Sequence, residues 1–428
     1  MGINGMRSQA LAVTRHATIF AQAGPRQHIS LYPVQPWPTQ YRFSSSGNLP
    51  LSGVTVISLE QAIAAPFCTR QLADQGARVI KIERPGVGDF ARNYDTRVDG
   101  LSSHFLWTNR SKESLALDLK KNKDLAAAKK IIQSADVLVQ NLVPGATGRM
   151  GLSYEDLREG NPRLIVCDIS GYGSYGPYRD KKAYDLLIQS EAGFVSVTGG
   201  ANEPSKAGIS IADIASGMYA YTNILTALIE RGQTGKGKRI DISMLESMVE
   251  WMNFPLYYSI NDQPLVPRTG LTHATVYPYG PFDTAGGESV MFGVQNEREW
   301  LLLCRDVLGD ESIATDERFI SNSLRSQNRE PLRSIICEKF STHSASAVLE
   351  KLDAAGIANA KVNDMHDVWK HPQLQARGRW AEMQTPAGIV PTLLPPGIDA
   401  PSDTRLDAVP EVGQHNDSLF AEFGIERE

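Results

Sequence analysis

The 428-residue chain reads as an α/β protein built on a parallel sheet, with a smaller α+β lobe beside it. Three observations predict this. Short β-branched runs alternate with helical spacing from residue 51 to Cys167. The texture then changes to longer helical stretches. Finally, a glycine-centred hairpin signal and a mostly helical run set off residues 270–365. Strands that alternate with helices pair in parallel, because each helix carries the chain back across a face of the sheet.

Taken in order, Gly53–Leu59 is a first strand, and Pro66–Gln75 has helical spacing that stops at Gly76. Arg78–Glu83 is the second strand, closed by Arg84-Pro85-Gly86. Ser114–Asp118 is the third, Asp124–Ser134 a helix, Val137–Val139 the fourth and Leu164–Cys167 the fifth. Sheets of this kind hold ligands at the carboxyl ends of their strands, so the loops after Leu59, Glu83, Val139 and Cys167 come first. Beyond them, Tyr184–Ala192 and Gly217–Glu230 are helices, and Arg239–Ser243 is a strand that leads into a helix through Trp251. Tyr277–Gly293 is a hairpin around Gly286-Gly287, and strands and loops dominate from Gly378 onward. The expected division is a large domain at 51–269, completed by 366–428, and a small domain at 270–365.

Composition narrows the function. Hydrophobic residues at 42% and charged residues at 21% are ordinary for a globular protein. No run approaches the ~18 apolar residues of a membrane span. A net charge of −5 offers no surface for nucleic acid. The four scattered cysteines, Cys68, Cys167, Cys304 and Cys337, suit buried thiols in a reducing compartment. Residues 1–50 differ from the rest: they hold Arg7, Arg15, Arg26 and Arg42 and no acid or lysine. That is the composition of a mitochondrial transit leader, with an untargeted cytoplasmic tail as the alternative.

Some motifs point elsewhere and are weak. Gly171 to Gly176 matches G-x-G-x-x-G, but Pro177 stands where the dinucleotide fingerprint needs a helix. Gly232 to Lys238 resembles a phosphate loop, but Arg239 replaces the magnesium-binding hydroxyl. His104 and His273 lack metal-ligand spacing, so no metal is expected.

One set of motifs is specific. It comprises Lys182, Tyr184, Asp185, Gln189, Gly199-Gly200, the run Gly208–Gly217 around Asp213, Thr234–Gly237 and Asp241. With it go Ala64-Ala65-Pro66, Gly76–Pro85, Asn109–Lys112, Asn141, Pro144-Gly145 and Arg149–Gly151. In order and spacing these resemble the type III CoA-transferases, the family of formyl-CoA transferase, carnitine CoA-transferase and α-methylacyl-CoA racemase. The resemblance runs from about residue 51 to the C-terminus. It implies a Rossmann-like large domain, an interlocked homodimer, acyl-CoA and carboxylic acid substrates, and no permanently bound cofactor.

By the same resemblance, Asp213 is the nucleophile that attacks a thioester carbonyl to give a mixed anhydride and then an aspartyl-CoA thioester. It is expected just before a helix opening at Ser216-Gly217, where it would also serve as the N-cap. Tyr184 and Asp185 are expected beside it. The racemase branch has a histidine at the position of Tyr184, and a phenol, titrating at about 10, is a poor base for an α-proton. Transfer is therefore favoured, with racemisation as the alternative. The resemblance assigns coenzyme A to the loop Gln61, Ala62, Ile63 and Ala64 and to the cations Arg84, Lys112, Arg149 and Lys182, and it gives Gln61 a catalytic role. Several relatives carry glutamine where this chain has Ile63, so a backbone N–H is the alternative holder of the acyl oxygen. Glu83–Arg92 and Ser102–Trp107 resemble the branch that moves CoA from succinyl-CoA to short dicarboxylic acids. Itaconate is the first expectation, then mesaconate, citramalate and glutarate. Arg92, Arg97, Arg268 and His273 are the candidate partners of the second carboxylate.

Overall fold

The computed structural model describes residues 49–426; the expected leader therefore lies outside the described residues. Six strands form one parallel sheet: β1 (Thr55–Leu59), β2 (Arg78–Glu83), β3 (Lys112–Ala116), β4 (Val137–Gln140), β5 (Ile165–Ser170) and β6 (Arg239–Ser243). Their spatial order is β3-β2-β1-β4-β5-β6. Successive connections run outward in opposite directions from β1 and β4, which makes the gap between these strands the topological switch point, where such sheets bind ligands.

Both faces are buried, and the period of two divides the strand residues between them. Val56, Val79, Val137, Val139 and Cys167 face helix α1 (Ala64–Asp74) and a long helix at Ile211–Thr234. Ile57, Ile80, Leu138 and Val166 face the opposite way, against Ala128, Ile131 and Ile132 of a helix at Asn122–Gln133 and Leu419 near the C-terminus. The near-continuous β-branched runs that signalled strands are a consequence of this two-sided burial.

The long helix, α2 (Ile211–Thr234), starts five residues before the expected opening at Ser216. Ser216 is an interior helix residue whose hydroxyl donates to the carbonyls of Ala212 and Asp213, both at 3.0 Å. The actual cap comes from outside the segment: Asp185 Oδ1 accepts from Ala212 N at 2.8 Å and Asp213 N at 3.3 Å. Asp213 therefore sits in the first helical turn rather than at the N-cap. The helix ends at Gly235, whose φ of 71° is the left-handed stop that glycine adopts freely. That stop accounts for most of the phosphate-loop lookalike. The glycines at 171–176 open no helix; the next one begins only at Asp185.

Residues 277–357 share a core of their own, with Tyr277, Phe282, Phe292, Phe340 and Leu352 buried together. Its antiparallel sheet pairs Tyr279–Asp283 with Ser289–Gly293, and that strand with Asn359–Lys361. At the far edge of the main sheet, the C-terminal segment lies along β3. His415 Nδ1 accepts from Ser114 N at 3.1 Å, and Asn416 Oδ1 accepts from Ala116 N at 2.8 Å.

Candidate active site

The loop after β1 lies in the switch-point crevice and is clamped there. Gln61 N donates to Asn141 Oδ1 at 2.8 Å, and Asn141 Nδ2 donates back to the Gln61 carbonyl at 2.9 Å. Asn141 directly follows β4, so this reciprocal pair ties the ends of the two strands flanking the crevice. Ala62 has a φ of 64°, a left-handed conformation costly for a residue with a Cβ. Its N–H is held at 3.0 Å by Asp89 Oδ1. Ile63 then leads into α1.

Under this loop lies a dry ionic cluster. Lys81 Nζ meets Asp89 Oδ2 at 2.7 Å and Glu60 Oε1 at 3.3 Å, with all these side chains fully buried. Lys112 Nζ donates to Glu60 Oε1 at 2.7 Å, to the Pro66 carbonyl at 3.1 Å and to Asn109 Oδ1 at 3.1 Å. Burial pushes the Glu60 carboxyl upward, but the Lys112 and Lys81 ammoniums outweigh it and hold it below the usual range. Burial brings Lys112 down to about 8.

This corrects the expectation for Lys112. An ammonium has three donors, and all three are engaged inside the protein, so none reaches a phosphate. The other expected cations differ. Arg84, Arg149 and Lys182 are exposed and make no ion pair among the described residues. Arg84 directly follows β2, Arg149 ends the short helix Ala146–Arg149 after β4, and Lys182 lies in the connection after β5, so all three belong to segments that leave the carboxyl ends of strands.

Asp213 approaches the same crevice from α2. One turn further on, Gly217 lets the helix press against α1: a Cβ there would lie 2.7 Å from the Ala64 carbonyl. Asp213 is only partly exposed. Burial, and then the nearby Asp185, push its carboxyl up to about 7. Asp185 itself is fully used: Oδ1 caps α2, and Oδ2 accepts from Gln189 Nε2 at 2.6 Å. The structure thus gives Asp185 the part of a positioning residue rather than a catalytic one. Tyr184 precedes the short helix Asp185–Glu191 and is 70% exposed, open to a ligand. Gln61 Oε1 accepts from Phe90 N at 3.2 Å, and its amide nitrogen makes no hydrogen bond among the described residues.

Tyr94 is a neighbour the sequence did not reveal. Burial, and then Asp89, Asp213 and Tyr184, push its phenol up to about 12, so the hydroxyl keeps its proton. Tyr94 lies just past the quoted stretch Glu83–Arg92, and no spacing rule links it to residues 90 or more positions away.

A carboxylate in the first turn of a helix packed against the loop after β1, with exposed cations in the connections after β2, β4 and β5, is an arrangement that can serve acyl transfer from a phosphate-bearing thioester. The sequence comparisons agree. The pattern of CoA-transferase family III spans residues 51–416, and the chain belongs to that family as a CoA-transferase. It is 33% identical to a human succinyl-CoA:glutarate CoA-transferase, over 87% of this chain and 86% of that protein. It is 34% identical to an acetyl-CoA:oxalate CoA-transferase of Acetobacter aceti, over 77% and 84%. A CaiB/BaiF family protein from Brucella suis superposes with a TM-score of 0.78 at 31% identity, covering 88% of this chain and all of that one.

Proposed function

We propose that the enzyme moves CoA from succinyl-CoA to a short dicarboxylic acid through covalent intermediates on Asp213, with itaconate the first acceptor to test, ahead of mesaconate, citramalate and glutarate. The observation that carries this reading is the position of Asp213, in the first turn of α2 against the entrance to α1. A carboxylate attacks the thioester carbonyl; the C–S bond breaks, CoA leaves as the thiolate and a mixed anhydride forms. The thiolate then attacks the Asp213 acyl carbon, releasing succinate and leaving an aspartyl-CoA thioester. The acceptor carboxylate attacks that thioester, giving a new anhydride and free thiolate. Attack of the thiolate on the acceptor's acyl carbon yields its CoA ester and restores Asp213. Tyr184 and Tyr94 supply hydroxyl donors where oxyanions develop, and Arg84, Arg149 and Lys182 hold the coenzyme's phosphates.

The relatives' names support a diacid, since glutarate and oxalate both carry two carboxylates. The apolar residues Trp251, Phe254, Leu256, Tyr257, Ile260 and Leu265 are exposed along one stretch, which supports an interlocked homodimer. The arginine-bearing, acid-free leader supports the mitochondrial matrix. The deciding experiment incubates the protein with succinyl-CoA, traps with hydroxylamine and maps the modified peptide, then screens the diacids as acceptors. Label on Asp213, absent from Asp213→Ala, is expected. Turnover without label on Asp213 would overturn the mechanism, and activity confined to formate or carnitine would overturn the acceptor class.

A further inference from the structure

The four expected partners for a second carboxylate do not survive inspection equally. Arg92 donates from Nε and Nη2 to Glu83 at 3.0 and 2.8 Å and from Nη1 to the Pro410 carbonyl at 3.0 Å, with its guanidinium over Phe105 at 3.8 Å. Arg268 is spent on the carbonyls of Gly200, Ser196 and Ala201, at 3.1, 3.3 and 2.8 Å. His273 Nδ1 accepts from Thr275 N at 3.2 Å and Val276 N at 3.1 Å, and its ring is stacked on Tyr279 at 5.3 Å. Arg97 keeps an exposed, unpaired side chain, but no contact links that side chain to the groups around Asp213.

We propose that His104 reads the far carboxylate of the acid whose near end reacts at Asp213. The contacts form a continuous path. Phe90 N donates to Gln61 Oε1 in the clamped loop, and the Phe90 ring packs on Tyr94 with centroids 5.8 Å apart. Tyr94 meets the His104 ring edge-on, at 5.4 Å and 86°. From α2, Gly217, one turn beyond Asp213, would place a Cβ 2.7 Å from the Ala64 carbonyl at the end of the same loop. His104, through Tyr94 and Phe90, and Asp213, through α2, thus both border the loop Gln61–Ala64.

The histidine is also prepared for an anion. Nδ1 lies 3.1 Å from Asp95 Oδ2. Asp95 is fixed in turn by Ser103 N at 3.0 Å, Ser103 Oγ at 2.8 Å and Arg97 N at 3.0 Å. Nε2 has no hydrogen-bond partner among the described residues, and 43% of the side chain is exposed. With Asp95 holding Nδ1, Nε2 is the atom left to meet a substrate carboxylate. Because Asp95 holds the ring still, the length of the acid decides whether its far end arrives while its near end reacts.

This inference rests on Asp213 as the acyl carrier, and the test separates the two. Isotope exchange between an acyl-CoA and its own free acid reads one acid at a time. The full-length protein, His104→Gln and His104→Phe are compared on succinyl-CoA with succinate and on butyryl-CoA with butyrate. In both variants the succinyl-to-butyryl ratio of kcat/KM is expected to fall about 30-fold, with hydroxylamine labelling of Asp213 intact. A ratio unchanged in both variants overturns the proposal, as does a wild-type ratio already near unity. Parallel losses on both acids would mean a structural role and also overturn it. A wild-type enzyme that exchanges but leaves Asp213 unlabelled would instead remove the reading beneath it.

Discussion

Two clusters of ionisable groups meet at the carboxyl edge of the sheet, and they are built on opposite principles. In the first, Glu60, Lys81, Asp89 and Lys112 are buried and paired, and all three donors of Lys112 are engaged within the protein. In the second, Asp213, Tyr184, Tyr94 and His104 are partly open, and burial, then Asp185, raise the Asp213 carboxyl. A saturated cluster can fix a backbone but has no capacity left for a substrate. An uncompensated one stores free energy that a bound substrate can release. Here the first holds Ala62 in its left-handed turn through Asp89, and the second faces the crevice which that turn shapes.

The sharpest way to break the contrast is to remove one charge from the saturated side. Lys112→Met would leave Glu60 buried with less compensation, and we expect a loss of about 3–5 kcal/mol in urea unfolding. Much of that loss should return in the double variant with Glu60→Gln. If Lys112 bound substrate instead, stability would hold and KM for the CoA ester would rise.

The open side predicts the opposite sign. A carboxyl raised to about 7 in the folded state, against a usual value near 3.8, binds its proton more tightly folded than unfolded. Its contribution is fully present below about pH 4 and is lost as pH rises through about 7. Asp213→Asn should therefore be more stable than wild type at pH 8, by about 2 kcal/mol, with the gap closing by pH 4. Wild-type acylation, followed as succinate release in a single turnover with succinyl-CoA, should rise with pH through the same region. A pH-independent stability difference would argue against the burial of Asp213.

The smallest effect is expected at the rim. Arg84→Gln should raise KM for succinyl-CoA by about three- to tenfold, with kcat and melting temperature little changed and with an effect that weakens at high salt. A fall in kcat alone would move Arg84 from binding to chemistry.

The sheet was legible because both its faces are buried, so stretches such as Val137–Val139 and Ile165–Cys167 read as continuous apolar runs. Gly235 and the strand it feeds were legible for a similar local reason. The start of α2 was not, because its cap is Asp185, 27 residues upstream of Ala212, while Ser216 imitates a cap at close range. Asp213 could be named from motif resemblance, but its environment could not. Lys112 shows the limit most clearly: a lysine at the right position in a motif reads as a phosphate ligand, and only the packing of Glu60, Pro66 and Asn109 around its ammonium reveals otherwise. The pairing of His104 with Asp95 depends on the chain turning back over residues 95–103, a bend with no periodic signature.

The contacts of His415 and Asn416 with β3 have a consequence for solubility. An edge strand with free N–H groups invites pairing with a strand from another molecule. Here side-chain atoms of the C-terminal segment occupy the Ser114 and Ala116 donors, so the sheet ends in a hem that offers nothing to extend. The last turns of the chain thus act as a built-in guard against aggregation, at the opposite end of the sheet from β6.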